Sequence, residues 1–307
     1  MPEDNNLSLG TSVVRTYVRK IDNAANVEEY PYWTSSYQSE RKRLKDISYI
    51  FSEQIQLPND MYPQGICFAE KYVLITSYSD KADTLGEVRV YDKDTGEYLL
   101  SLGMDENSHL GGIAYDGTNI WVCNSSKMVL ERISYTFINV AVENYKGKCL
   151  DIRNLVDVYP VNLTPSCITF YEGRLWVATH TKQKNSHMVS YYFDYDEEQL
   201  CFDNLYYIPS KVQGVAFDEN GKVILSTSYG RRSSSYIKIY SSVEIMSKNV
   251  AEYLEMIELP PCSEGIIIEN GKLYVIFESA GEKYLEGTDG KGKSIAPLDK
   301  LLVIDLT

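Results

Sequence analysis

VQGVAFDENGKVILSTS (Val212–Ser228) holds two short apolar runs joined by a turn built from Asp, Asn and Gly. Each run is short and rich in Val, Ile and Thr, which favours strands, and the Asn220-Gly221 pair between them favours a tight hairpin. YIKIYSS and MIELPP follow it, so one unit of about 50 residues offers four strands. The same order recurs on both sides. PQGICF, KYVLITSY, GEVRVYD and EYLLSL form an earlier unit, followed by LGGIAY, NIWVCNS, VLERISY and, after an insertion, VDVYPVNL. PSCITF, RLWVATH, MVSYYFD and LYYIPS form a third, and SEGIII, KLYVIFES and LLVIDL an incomplete last one.

The phase-matched residues are Gly65, Gly112, Cys167, Gly214 and Gly265, spaced by 47, 55, 47 and 51 positions. Four short strands in a repeat of that period describe a blade, and five blades describe an all-β fold: a five-bladed β-propeller with four-stranded antiparallel blades. The last unit lacks its fourth strand. Phe51-Ser-Glu-Gln-Ile-Gln-Leu57 stands before the first unit where MIELPP stands before the fifth. An N-terminal strand that completes the last blade closes the ring and removes two open edges. The expected organisation is a single propeller domain over residues 51–307. Residues 1–50 precede it as a tail with a short helical segment, Trp33–Ile47, whose basic cluster Arg41-Lys-Arg-Leu-Lys45 reads as a solvated helix face.

Charge narrows the function classes. With 30 basic and 43 acidic residues the net charge is −13, and a phosphate backbone demands a basic stripe, so nucleic acid is not expected as a partner. No window carries the roughly 18 apolar residues of a membrane span. MPEDNNLSLG has neither a basic nor an apolar leader region, so a cytoplasmic location is expected, or an extracellular one if a leader has been removed. The six cysteines have no C-x-x-C spacing, which argues against structural zinc and for a reducing compartment. A monomer is expected.

Ligand sites in this architecture gather where the first strands begin and the second strands end. Gln64, Gly111, Ser166, Gln213 and Glu264 form the first set; Tyr78, Ser125, His180, Ser228 and Glu278 form the second. His109, Lys211, Tyr229, Arg231 and Lys283 are neighbours. Glu264 and Glu278 fall on adjacent strands of blade five. Two such carboxylates separate their pKa values into an acid and a base, or supply part of a Ca²⁺ or Mg²⁺ site, or tie blades together through Lys283, Arg231 or a backbone N–H. His180, in ATHTK, is placed either as a general base or as a hydrogen-bonded rim residue. Arg231 is suited to clamp a carboxylate or phosphate, and Tyr62, Tyr78 and Tyr229, with Trp33, to stack on a sugar or planar ligand.

Two readings follow. The first is a binding or scaffold protein that takes a small polar molecule, glycan or peptide through Gln64, Tyr78, His109, Ser166, Gln213, Tyr229 and Arg231. The second is a hydrolase or lyase using Glu264, Glu278 and His180, with a divalent cation as its possible cofactor. MYPQGICF, GGIAYDGTNIWVCNSS, TPSCITFYEGRLWVATHTK, VQGVAFDENGKVILSTSYGR and IFESAGEKY give the chain a pattern that resembles YVTN, NHL and gluconolactonase-like propeller repeats over roughly residues 51–306. It is also similar to propeller proteins of Gram-positive bacteria, many of them exported. The resemblance implies the fold and a bacterial source, but no particular reaction. Five-bladed glycosidases draw carboxylates from several blades, whereas Gln64, Gly111, Ser166 and Gln213 stand at the matching phase here.

Elsewhere in the last unit, GTDGKGKS (Gly287–Ser294) fits the phosphate-loop pattern G-x-x-x-x-G-K-[ST] letter for letter. That chemistry requires a buried strand before the loop and a helix after it. A charged, turn-like segment precedes it and Ile-Ala-Pro297 follows, so no nucleotide is expected at 287–294.

Overall fold

The computed structural model of the chain describes residues 40–306. Five sheets radiate from a central axis, and their first strands touch in turn around it: Tyr62–Ala69, Ile113–Tyr115, Cys167–Tyr171, Val212–Phe217 and Ser263–Glu269, then Tyr62–Ala69 again. Each blade continues outward through antiparallel second, third and fourth strands. In blade four these are Val223–Thr227, Ser235–Tyr240 and Glu255–Leu259.

Alternation explains the packing. Successive side chains leave a strand on opposite faces, and both faces of a blade meet a neighbouring blade. Five apolar cores result, one between each adjacent pair. A smaller aromatic cluster of Tyr62, Tyr78 and Tyr284 with Cys262 sits at one end of the axis. Near the axis there is no room for side chains. A Cβ on Gly112 would lie 2.7 Å from the Cys167 Cα, and one on Gly265 would lie 2.8 Å from the Gly65 Cα. Glycine at four of the five repeating positions, with the small Cys167 at the fifth, is therefore what lets the first strands converge.

The ring closes as the repeat predicts, with a shifted strand. Tyr49–Ser52 pairs antiparallel with Leu301–Asp305, Tyr49 opposite Ile304, and completes blade five. Residues 53–57 are not strand; Ile55 and Leu57 instead fill the core between blades five and one. At the second and third positions of the hairpin turn in this blade, Asn270 (φ 51°) and Gly271 (φ 74°) both take positive φ, the conformation a two-residue type I′ turn requires.

The helical reading of Trp33–Ile47 needs correction over its described part; residues 33–39 lie outside the described residues. Glu40–Arg43 is a strand that adds in parallel to Glu255–Leu259 as a fifth strand of blade four, followed by one 3₁₀ turn at Leu44–Asp46. The basic cluster is accordingly not a solvated helix face. Arg41 binds the fully buried Glu258, and Lys42 Nζ donates to Glu255 at 2.8 Å. Charge complementarity and the open edge of the blade outweigh local helix preference. The insertion in blade two behaves similarly: helix Tyr135–Tyr145, capped by Ser134, leads into Cys149–Asp151, which adds in parallel to the outer strand of blade one. Among the described residues no helix is long and apolar enough to cross a membrane.

Candidate functional site

Three of the five first strands carry a bulge at the same end. The register shifts between Pro63 and Gly65, between Val212 and Gly214, and between Ser263 and Ile266. A bulge re-aims the extra residue out of the ladder. The residues so released are Gln64, Gln213 and Glu264, and all three face one open cavity of about 990 Å³ at the mouth of the axis. Tyr78, His109, Ser166, His180, Tyr229, Arg231 and Glu278 line the same cavity. Strand phase thus brings the residues singled out for binding and catalysis to one place. Tyr62 is buried beneath it rather than on its rim, and Trp33 lies outside the described residues.

Glu278 opens a 3₁₀ turn directly after the second strand of blade five. One carboxylate oxygen accepts from the Tyr78 hydroxyl at 2.6 Å, and the other accepts from the Tyr284 hydroxyl. Lys283, 7% exposed, donates to the Tyr78 hydroxyl at 2.8 Å and to Asp80 at 2.7 Å. Its ammonium lies 3.8 Å from the centre of the Tyr62 ring and 4.0 Å from Glu278 Oε1. Burial first, and then the Glu278 charge, raise both tyrosine hydroxyls far above the ordinary phenol range.

Glu264 is 4% exposed and accepts a hydrogen bond from Gln213 Nε2 at 2.8 Å. Burial, reinforced by the charge of Glu278, pushes its carboxyl well above the usual carboxylate range, against the weaker pull of Gln213. Its surroundings favour the protonated form. His109 stacks on Tyr78, with ring centres 4.2 Å apart, and burial lowers its pKa. His180 is held down by burial too, despite a 3.2 Å contact of Nδ1 with the Val212 carbonyl. Its backbone N–H donates to the Ser166 hydroxyl at 3.0 Å. Both rings are thus neutral near pH 7.

Arg231 makes the clamp its chemistry suggests, but on the chain's own Asp289, through bonds of 3.0 and 2.8 Å. The same guanidinium donates to the Gly292 carbonyl at 2.6 Å and lies 4.5 Å from the centre of the Tyr284 ring. Its bonds draw the Asp289 carboxyl down to about 2. Asp289 and Gly292 belong to the GTDGKGKS loop. That loop follows a four-residue helix, Glu282–Leu285, and runs without a helix to the strand at Leu301. It presents a carboxylate and a carbonyl to a cation, the reverse of the polarity a phosphate loop needs.

Among the described residues no three His, Cys, Asp or Glu side chains gather as a metal-binding group. Each oxygen of Glu278 already accepts a tyrosine hydroxyl, and burial disfavours the charged form of Glu264 that an ion would need. Sequence reasoning missed Tyr284, Asp289, Asp80 and Lys182. Tyr284 comes from the four-residue helix Glu282–Leu285 and Asp289 from the loop after it, neither with a periodic signal, and Lys182 follows a strand end by a few residues.

A scan against protein-family models and a search of curated proteins give no match. Solved structures do match. The chain is similar to glutaminyl cyclase of Myxococcus xanthus at 10% identity and TM-score 0.50, covering 87% of this chain and 99% of that one. A PQQ-bound aldose sugar dehydrogenase from Streptomyces coelicolor aligns at 13% identity and TM-score 0.50, over 84% and 98% of the two chains. The tail fibre of Staphylococcus aureus phage P68 aligns at 14% and TM-score 0.53, over 86% of this chain and 54% of the fibre. The chain is a five-bladed β-propeller. At these identities the likeness is one of fold, and propellers carry unrelated functions.

Proposed function

We propose that this propeller binds a small polar ligand, a glycan fragment or short peptide among the candidates, at the mouth of its axis and does not convert it. The observation that carries this reading is the set of partners around Glu278. Each of its oxygens already accepts a tyrosine hydroxyl and the Lys283 ammonium lies 4.0 Å from Oε1, a set of partners that stabilises the carboxylate and so weakens it as a base or nucleophile. Around it, Gln64, Gln213, Ser166, protonated Glu264 and neutral His180 supply uncharged donors and acceptors on rigid strand ends, a set that suits recognition.

The second reading, a hydrolase or lyase, has one observation in its favour. A protonated Glu264 that feels the charge of Glu278 is an acid beside a base, with His180 lining the same cavity. The two readings separate by experiment. A thermal-shift screen of sugars, sugar acids and dipeptides, with the supernatants assayed for products, should find stabilisation without turnover. At a hundred times its Kd a ligand adds about 2.7 kcal/mol. The stabilisation should vanish in Gln213→Ala. Turnover abolished by Glu264→Gln would establish the enzyme reading instead, and stabilisation unaffected by Gln213→Ala would place the ligand elsewhere.

A further inference from the structure

The charges around the cavity contradict those of the protein as a whole. The chain carries a net −13, yet the cavity is lined by Lys182, Arg231, Arg232 and Lys291 against two carboxyl groups, Glu264 and Glu278, of which burial biases the first toward its neutral form. Arg231 and Lys291 both lean on Asp289. Lys182 and Arg232 do not, nor does Lys211 beside them: among the described residues none of these three has an acidic partner. Lys182 and Lys211 instead stand over the ring of Tyr229, at 5.5 and 5.8 Å from its centre, and that residue is 44% exposed at the rim.

Such an arrangement costs free energy in the empty protein. Like charges held together repel, and an acidic chain offers many carboxylates that could have relieved them. The repulsion is visible on two neighbours. Lys238, on the third strand of blade four, is lowered to about 8 by burial and then by the charge of Lys211. His180 is lowered mainly by burial, with Lys182 and Lys211 pressing in the same direction.

Resting on the binding reading, we infer that the ligand carries an anionic group, a carboxylate or a phosphate, that seats against Lys182 and Lys211 beside Tyr229. The anion supplies the missing counter-charge. The uncharged remainder of the ligand then extends over His180 and Gln213 toward Glu264, whose neutral form spares the anion a second negative charge on the cavity floor. The two lysines supply point charges, and Arg232 lines the same cavity from beside Gly292 of the blade-five loop.

Matched pairs of probes test this although the natural ligand is unidentified. Melting midpoints are compared for glucose against glucuronate and glucose 6-phosphate, for succinamide against succinate, and with inorganic phosphate alone. The proteins are wild type, the triple variant Lys182→Gln/Lys211→Gln/Arg232→Gln, and Lys272→Gln as a remote charge control. In wild type and the control the charged member of a pair stabilises more than the neutral one. In the triple variant that difference disappears, with a loss of about tenfold or more in affinity, and in wild type it shrinks with added salt. Phosphate and carboxylate arms decide between the two anions. Equal stabilisation by neutral and charged members overturns the anion subsite but leaves the binding reading standing. Charged probes that stabilise the triple variant as well as wild type overturn it too, since they bind elsewhere. No stabilisation by any probe removes both.

Discussion

The two sides of the channel mouth use the same residue types to opposite ends. On the blade-five side, Glu278, Lys283, Arg231 and Asp289 are all partnered within the chain, and Tyr78 and Tyr284 close the remaining valences. On the side of blades three and four, Lys182 and Lys211 stand over an exposed tyrosine with no acidic partner among the described residues. A polar group already satisfied by its own protein has little left for a ligand. The contrast therefore divides the mouth into a part that holds blade five to blade one and a part that faces outward, although both line one cavity.

The contrast is most severely tested at Lys283. Lys283→Met strands Glu278 in a mostly buried position, and removal of one partner of a buried pair is strongly destabilising. Equilibrium urea unfolding should show a loss of about 3 kcal/mol or more. A loss comparable to that of an exposed lysine would erase the distinction between the two sides.

Glu264 sharpens it next, through pH. The folded chain keeps this carboxyl protonated, while the unfolded chain releases the proton near the ordinary value of 4.5. Wild-type stability therefore declines as pH rises above 4.5 toward the folded pKa, by up to about 1.4 kcal/mol per pH unit from this group. Glu264→Gln keeps the hydrogen bond from Gln213 and has no proton to lose. The variant should match wild type below 4.5 and exceed it progressively as pH rises above that value toward the folded pKa in denaturant titrations. Parallel curves would mean that Glu264 ionises as an ordinary carboxylate.

The smallest effect belongs to the open side. Lys182→Met should change stability by no more than about 0.5 kcal/mol, as expected of a surface substitution with no acidic partner to lose. A larger loss would show that Lys182 already works for the fold.

How much of this was legible in the sequence follows from range. Strand phase is local, so the apolar runs and the recurring glycine placed all five blades, and with them Gln64, Gln213, Glu264, His180 and Glu278 at one end of the axis. That these residues would share a cavity is a consequence of the ring. Partnership is not local. Nothing in Glu40–Arg43 announces that it pairs with Glu255–Leu259, more than 200 positions away, and four charged residues in a row read naturally as a helix. Ile55 and Leu57 misled in the other sense, because their alternation suits a strand while their side chains serve an inter-blade core. The occupation of Arg231 by Asp289 depends on a glycine-rich loop folding back, which no periodicity encodes.

The pairing of Tyr49–Ser52 with Leu301–Asp305 also dictates an order of assembly. During synthesis the first of these segments, Tyr-Ile-Phe-Ser, leaves the ribosome about 250 residues ahead of its partner, and four blades stack before blade five can close. Ring closure is thus the event of greatest sequence separation, with the slow kinetics that such separation brings. Until it happens the apolar segment is exposed to any other strand edge in reach, so the nascent propeller is most vulnerable to mispairing just before it is complete.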